Sequence, residues 1–148
     1  MQVSAFRTAT QNSLGARNKN PLNIRYSSAN NWLGGSRGER DFVRFTTRTL
    51  GIRAGLILLR NYRRNHGIMT ISGTINRFAP PNENNTQSYI SFVASQSGLN
   101  ANNPFEFNQL NLYRIVRAMC LKESGYYMST SEFLNAWDLA FPTGAGVS

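Results

Sequence analysis

From Thr47 to Asn65 the apolar positions Leu50, Ile52, Leu56, Leu59 and Tyr62 recur at helical spacing, which predicts a buried central helix. Thr46 or Thr47 can cap its start and Gly67 can stop it. Thr70 can cap a shorter helix that runs through Phe78 and ends at Pro80-Pro81. Beyond a polar link from Asn82 to Asn85, a third helix carries Tyr89, Ile90, Phe92 and Val93 and ends at Gly98. Asn103-Pro104-Phe105-Glu106 reads as a helix start, with a cap, Pro at the first position and Glu in the first turn. That helix buries Leu112, Ile115, Val116 and Met119 and ends near Glu123-Ser124-Gly125. Ser129 and Glu132 form a capping-box pattern ahead of Phe133 to Phe141.

Two short stretches alternate instead. Leu22 to Tyr26 and Phe42 to Phe45 have the period of half-buried strands, and the Asn- and Gly-rich stretch from Asn30 to Arg40 joins them, so a small hairpin with a long connection is expected. Residues 1–20 are polar and read as a loosely ordered arm or short strand, and residues 142–148 as a frayed tail. The 148 residues suit one domain with one core, of α+β class and mainly α-helical. No apolar run reaches the roughly 20 residues of a membrane span, and Met1 to Gly15 lacks the apolar core of a secretory signal.

Charge adds a partner class. Sixteen Lys and Arg oppose seven Asp and Glu, for a net charge of +9, which favours an anionic partner: nucleic acid, an anionic membrane surface or the acidic polymers of a bacterial envelope. Cys120, the single cysteine, lies in an apolar helix and reads as a packed thiol. The single histidine, His66, reads as a residue of a basic helix end. One His and one Cys give poor support for a zinc site or a Ser-His or Cys-His triad, and no phosphate-binding glycine loop is present, so neither metal nor cofactor is expected.

Chemistry that runs on carboxylates alone is mainly glycosidic bond cleavage. Glu106 and Glu132 are accounted for by helix starts and Asp138 by a surface turn, leaving Glu39, Asp41, Glu83 and Glu123. Periodicity leaves Glu123 two readings: a solvent-facing carboxylate paired with Lys122 or Arg117, or a partly buried acid with a raised pKa. Trp32, Tyr26, Tyr89, Tyr126 and Tyr127 supply aromatic platforms, and Asn23, Asn31, Asn76 and Asn84 supply amides for sugar hydroxyl and acetamido groups.

Several segments then resemble a known family. Asn20-Pro21-Leu22-Asn23-Ile24-Arg25-Tyr26, Asn31-Trp32-Leu33-Gly34, Phe42 to Phe45, Gly51-Ile52-Arg53-Ala54 and the block from Ile75 to Tyr89 are similar to small phage and prophage virion proteins with a lysozyme-like fold. Asn20 to Ile24 with Trp32 and Gly34 also resembles the Asn-rich cleft motif of flagellar-type glucosaminidases. Ala118 through Gly125 resembles the helix end of lytic transglycosylases and goose-type lysozymes, where the Glu before Ser is the catalytic acid. In those enzymes the catalytic helix precedes the cleft motif, whereas here it follows, so a permuted order of elements is implied. A further departure is Thr49, where related virion proteins tend to carry Glu.

The resemblance implies a single lysozyme-like domain over residues 1–148 with a small β-hairpin lobe. It implies cleavage of the β-1,4 bond between N-acetylmuramic acid and N-acetylglucosamine in peptidoglycan, by hydrolysis or transglycosylation. Glu123 would be the acid and Glu39 the second carboxylate, with Asn23, Trp32, Asn76, Glu83, Asn84 and Tyr89 lining the cleft. The expected partners are glycan strands, anionic envelope polymers and other virion proteins. The expected place is the virion, or the host cytoplasm before release to the periplasm. The alternative is a noncatalytic phage structural protein whose arginines bind DNA or the cell envelope.

Overall fold

Short polar side chains start the helices of the computed structural model, which describes residues 13–82 and 84–144. Ser13, Thr47, Thr70, Asn85, Asn108 and Ser129 each accept, through a side-chain oxygen, the backbone N–H three residues on. They open α1 (Leu14–Asn18), α2 (Arg48–His66), α3 (Ile71–Phe78), α4 (Thr86–Ser97), α5 (Gln109–Ser124) and α6 (Thr130–Ala140). Gly67, Gly98 and Gly125 close α2, α4 and α5 in the left-handed conformation that lacks a penalty only for glycine. The fold is α+β and mainly helical, as the sequence predicts. Among the described residues no helix is long and apolar enough to cross a membrane.

The hairpin is present but its strands are not those expected. Strand β1 (Gly35–Arg37) pairs antiparallel with β2 (Val43–Phe45), Ser36 opposite Arg44. Leu22 to Tyr26 forms no strand. It runs beside the start of β2: an isolated bridge joins Arg25 to Phe42, just before that strand, and the N–H groups of Val43 and Tyr26 donate to the carbonyls of Ile24 and Asp41. The left-handed backbone of Asn23, at φ 52°, breaks the extended run there.

Two further expectations are corrected. Residues 14–18, assigned to an arm, form α1, and Asn18 and Asn20 are fully buried; residues 1–12 lie outside the described chain. Asn103 to Glu106 does not start a helix: Phe105 and Phe107 lie in an irregular segment ahead of Asn108, with both rings buried under the Arg63 guanidinium. The cap is Asn108, and Glu106 uses its carbonyl to accept from Asn111. The tail is described only as a 3₁₀ turn at Pro142–Gly144.

The core centres on α5, whose Leu112, Ile115, Val116, Met119 and Cys120 are buried. Helix α2 packs mainly on α6, and α4 packs on both α3 and α5. Phe107, Phe133, Trp137 and Phe141 stack around the end of α6. At its start, Glu132 accepts from the Tyr126 hydroxyl and from Arg48, tying α6 to the first turn of α2.

Residues 19–24 are pressed against this helical frame. Glycines 51 and 55 make a smooth strip on α2: a Cβ at Gly51 would lie 2.8 Å from the Lys19 carbonyl oxygen, and one at Gly55 2.2 Å from Leu22. The fully buried Asn20 side chain donates to the carbonyls of Ile24 and Val43, at 2.9 Å each, and accepts from the Ile24 N–H at 3.0 Å. At the end of α5, the Ser124 hydroxyl donates to the Pro21 carbonyl at 2.8 Å.

Two substitutions test this seating by urea denaturation. Gly51→Ala, which favours an isolated helix by about 1 kcal/mol, is expected to destabilise the protein, because its Cβ meets backbone at Lys19; an unchanged or higher midpoint would refute the close approach. Asn20→Ala leaves the Val43 carbonyl and the Ile24 N–H without their partner, while the Ile24 carbonyl keeps the Val43 N–H, and a loss of about 2 kcal/mol or more is expected at roughly 1–3 kcal/mol per orphaned group.

Candidate active site

Glu123 is the next-to-last residue of α5, where the helix meets the segment 19–24. Neither residue expected to neutralise it in solvent does so directly: Lys122 lies over the Phe92 ring and Arg117 over the Tyr127 ring. Instead the Asn23 amide donates to the Glu123 carbonyl at 3.0 Å and to its carboxylate Oε1 at 3.3 Å. The left-handed φ of Asn23 turns this side chain toward α5, a conformation Asn tolerates better than most residues.

The carboxyl group lies in the wall of a cavity of about 380 Å³. Asn23 and Arg25 come from the segment before the hairpin, and Trp32 from the loop leading to β1. Tyr62 comes from α2, Arg77 and Phe78 from the end of α3, and Asn84 from the link after it. Burial raises the Glu123 pKa above the ordinary 4.5; interactions with Tyr89, Asn23, Arg25 and Lys122 work the other way but do not cancel it. A carboxyl group of this kind can hold a proton and release it to a bound oxygen.

Polar atoms without partners gather around it. Asn23 Oδ1, Trp32 Nε1 and the Tyr89 hydroxyl are buried and make no hydrogen bond of normal geometry. The Tyr89 hydroxyl is nevertheless close enough to the Glu123 carboxylate for each to shift the other's ionisation. Loose contacts of this type are common at catalytic groups before substrate binds, and orphaned buried donors and acceptors are otherwise rare.

Of the residues expected in the site, the structure brings Asn23, Trp32, Asn84 and Glu123 to one cavity and sets Tyr89 behind Glu123. Glu39 is not with them. It sits in the turn at Glu39–Asp41, where hydrogen bonding from Arg17 holds its carboxyl below the ordinary range and Arg44 lies 3.9 Å away. Asn76 also falls elsewhere, exposed on α3 with its amide donating to the Ser72 carbonyl. Glu83 lies outside the described residues. Thr49 is in the first turn of α2 and does not line the cavity. Sequence reasoning did not assign Arg25, Tyr62, Arg77 and Phe78 to this wall. The Arg77 guanidinium stacks over the Tyr62 ring, a pairing no linear spacing announces.

Among the described residues no three His, Cys, Asp or Glu side chains come together closely enough to hold a metal ion. Cys120 is fully buried, and burial pushes its thiol pKa far up, away from a nucleophilic thiolate.

No family model matches the chain. Protein P5 of Pseudoalteromonas phage PM2 is 39% identical to it over 115 residues, which span 75% of this chain and 71% of Protein P5. Identity at that level over most of both sequences places the relationship beyond chance: the chain belongs to the phage protein family that includes Protein P5 of phage PM2.

Proposed function

We propose that the chain is a lysozyme-like phage enzyme that cleaves the β-1,4 bond between N-acetylmuramic acid and N-acetylglucosamine in peptidoglycan. The observation that carries this reading is the Glu123 carboxyl, raised in pKa by burial and held by Asn23 in the wall of a cavity bearing an indole and several amides. Glu123 donates its proton to the glycosidic oxygen as the bond to the muramic C1 breaks. The Asn23 amide fixes the carboxyl group, and the nearby Arg25 charge favours the carboxylate left behind.

Glu123 is the single carboxylate among the described residues that line the cavity. This favours the transglycosylase route, which needs one carboxyl group. The ionised Glu123 takes the proton of the muramic 6-hydroxyl as that oxygen bonds to C1, so a 1,6-anhydro product forms and the acid is regenerated. The positive charge of the chain keeps it near anionic envelope polymers, and its place would be the virion or the lysing host. The DNA-binding alternative draws less support from the structure, because Arg17, Arg37 and Arg48 are engaged by carboxylates and Arg63 by the Phe105 carbonyl.

Mass spectrometry of muropeptides released from purified sacculi is expected to find 1,6-anhydro ends, with Glu123→Gln slower by about 10²–10⁴-fold. Equal release by the variant would remove Glu123 from the acid role, and reducing ends would move the reaction to hydrolysis. Asn23→Gly keeps the left-handed backbone and deletes the amide; it is expected to lower kcat by about tenfold with little change in fold, as circular dichroism would check.

The raised pKa also fixes a sign for stability. A carboxyl group that binds its proton more tightly in the folded state contributes stability that is full below its ordinary value, 4.5, and lost as pH rises through the folded value. Glu123→Gln, neutral throughout, is expected to unfold at higher urea than the wild type above that interval, with the gap closing at lower pH. A gap independent of pH would show that Glu123 ionises as it does in water.

A further inference from the structure

A second cavity shares a wall with the first. Its volume is about 520 Å³, and it is lined by Trp32, Leu33, Gly34, Arg53 and Ile57 among others. Arg53 lies on α2 between Ile52 and Ala54, both fully buried, and its Nε is buried without a hydrogen-bond partner. Trp32 Nε1 is in the same state, and Trp32 lines both cavities. Both atoms are donors only.

No acidic side chain among the described residues pairs with Arg53; the ion pairs there use Arg17, Arg37, Arg44 and Arg48. No lining residue of the second cavity is acidic. Buried donors are nearly always satisfied in native proteins, so two orphans on one cavity call for an acceptor from outside. A water molecule would satisfy the donors but leave the guanidinium charge unbalanced. A carboxylate supplies both the acceptor oxygens and the charge, in the planar geometry that a guanidinium matches. Leu33 and Ile57 offer apolar surface to the carbon chain next to such a group.

We infer that this cavity is a subsite for a carboxylate carried by the substrate, anchored by Arg53 and Trp32. The inference rests on the peptidoglycan reading for its source: the peptide linked to muramic acid through its lactyl group bears free carboxylates. A strand lying across the Trp32 indole, with a glycosidic bond at Glu123, would present such a peptide to Arg53.

The test uses the full chain. In nitrogen–proton NMR spectra at constant ionic strength, sodium acetate is expected to shift the Arg53 Nε–H and Trp32 indole signals with saturation, and Arg53→Met to abolish the Trp32 shift. Arg53→Lys, which keeps the charge and alkyl stem, should retain part of it and guards against a folding defect. Signals unmoved by acetate would mean that ordered water satisfies both donors, and saturation by inorganic phosphate alone would make this a phosphate site; either result overturns the proposal.

Binding to the Glu123→Gln protein then separates the two readings. Adding Arg53→Met should weaken a disaccharide-tetrapeptide by about tenfold or more, as expected for one lost charge-assisted contact, and leave uncharged chitotetraose unaffected. Equal binding of the disaccharide-tetrapeptide with and without Arg53 overturns the subsite while sparing the peptidoglycan reading. Acetate binding with neither glycan bound overturns the peptidoglycan source while upholding the anion site.

Discussion

The site depends on one constraint, that residues 19–24 lie directly on the helical frame. Side chains cannot stand between these backbones, so α2 presents glycines at 51 and 55 and leaves the Lys19 carbonyl and Leu22 in direct contact with the helix. Once the segment is so close, its own polar groups lose water. Asn20 and Ser124 replace that water with hydrogen bonds to the carbonyls of Pro21, Ile24 and Val43. The turn that remains aims Asn23 at the end of α5. Packing and hydrogen bonding therefore act in sequence: the glycines permit the approach, the buried amide fixes the turn, and the turn orients the group that holds Glu123.

Electrostatics at Glu123 are a balance. Burial favours the protonated acid, while the Asn23 and Tyr89 contacts and the charges of Arg25 and Lys122 favour the carboxylate. A proton donor that must be regenerated needs both influences. Glu39, by contrast, is half-exposed and locked to Arg17 and Arg44, so its charge is committed to holding the hairpin turn against α1. Two carboxylates of similar appearance in the sequence thus belong to different parts of the physics, one desolvated and one solvated and paired.

The helices were legible because their caps and apolar periods are local signals, and Thr47, Thr70, Ser129 and the three closing glycines stand where the sequence put them. The start of α5 is not legible because Pro104 and Glu106 mimic a first turn, whereas Phe105 and Phe107 are buried in an irregular segment against Arg63 and the cap falls to Asn108. The hairpin was misread for a related reason: alternation in Leu22 to Tyr26 reports burial, and it does not reveal that Asn23 turns the backbone over. Glu123 stood out as a carboxylate ending an apolar helix. Its neighbours Arg25, Tyr62 and Arg77 did not, because they meet only through the fold. Asn76 shows the reverse error: it neighbours cavity-lining Arg77, but one helical step, about 100°, turns it away from the wall, where its amide donates to the Ser72 carbonyl.

The contact between Asn23 and Glu123 joins residues 100 positions apart, and that between Pro21 and Ser124 joins residues 103 apart. Few contacts in a helical domain close so long a loop, and closure of this kind has to be met in chain entropy before it brings any gain. During synthesis the segment carrying Asn23 is exposed long before its counterpart on α5 has been made. The cavity therefore cannot form on an incomplete chain: assembling the site is coupled to finishing the fold.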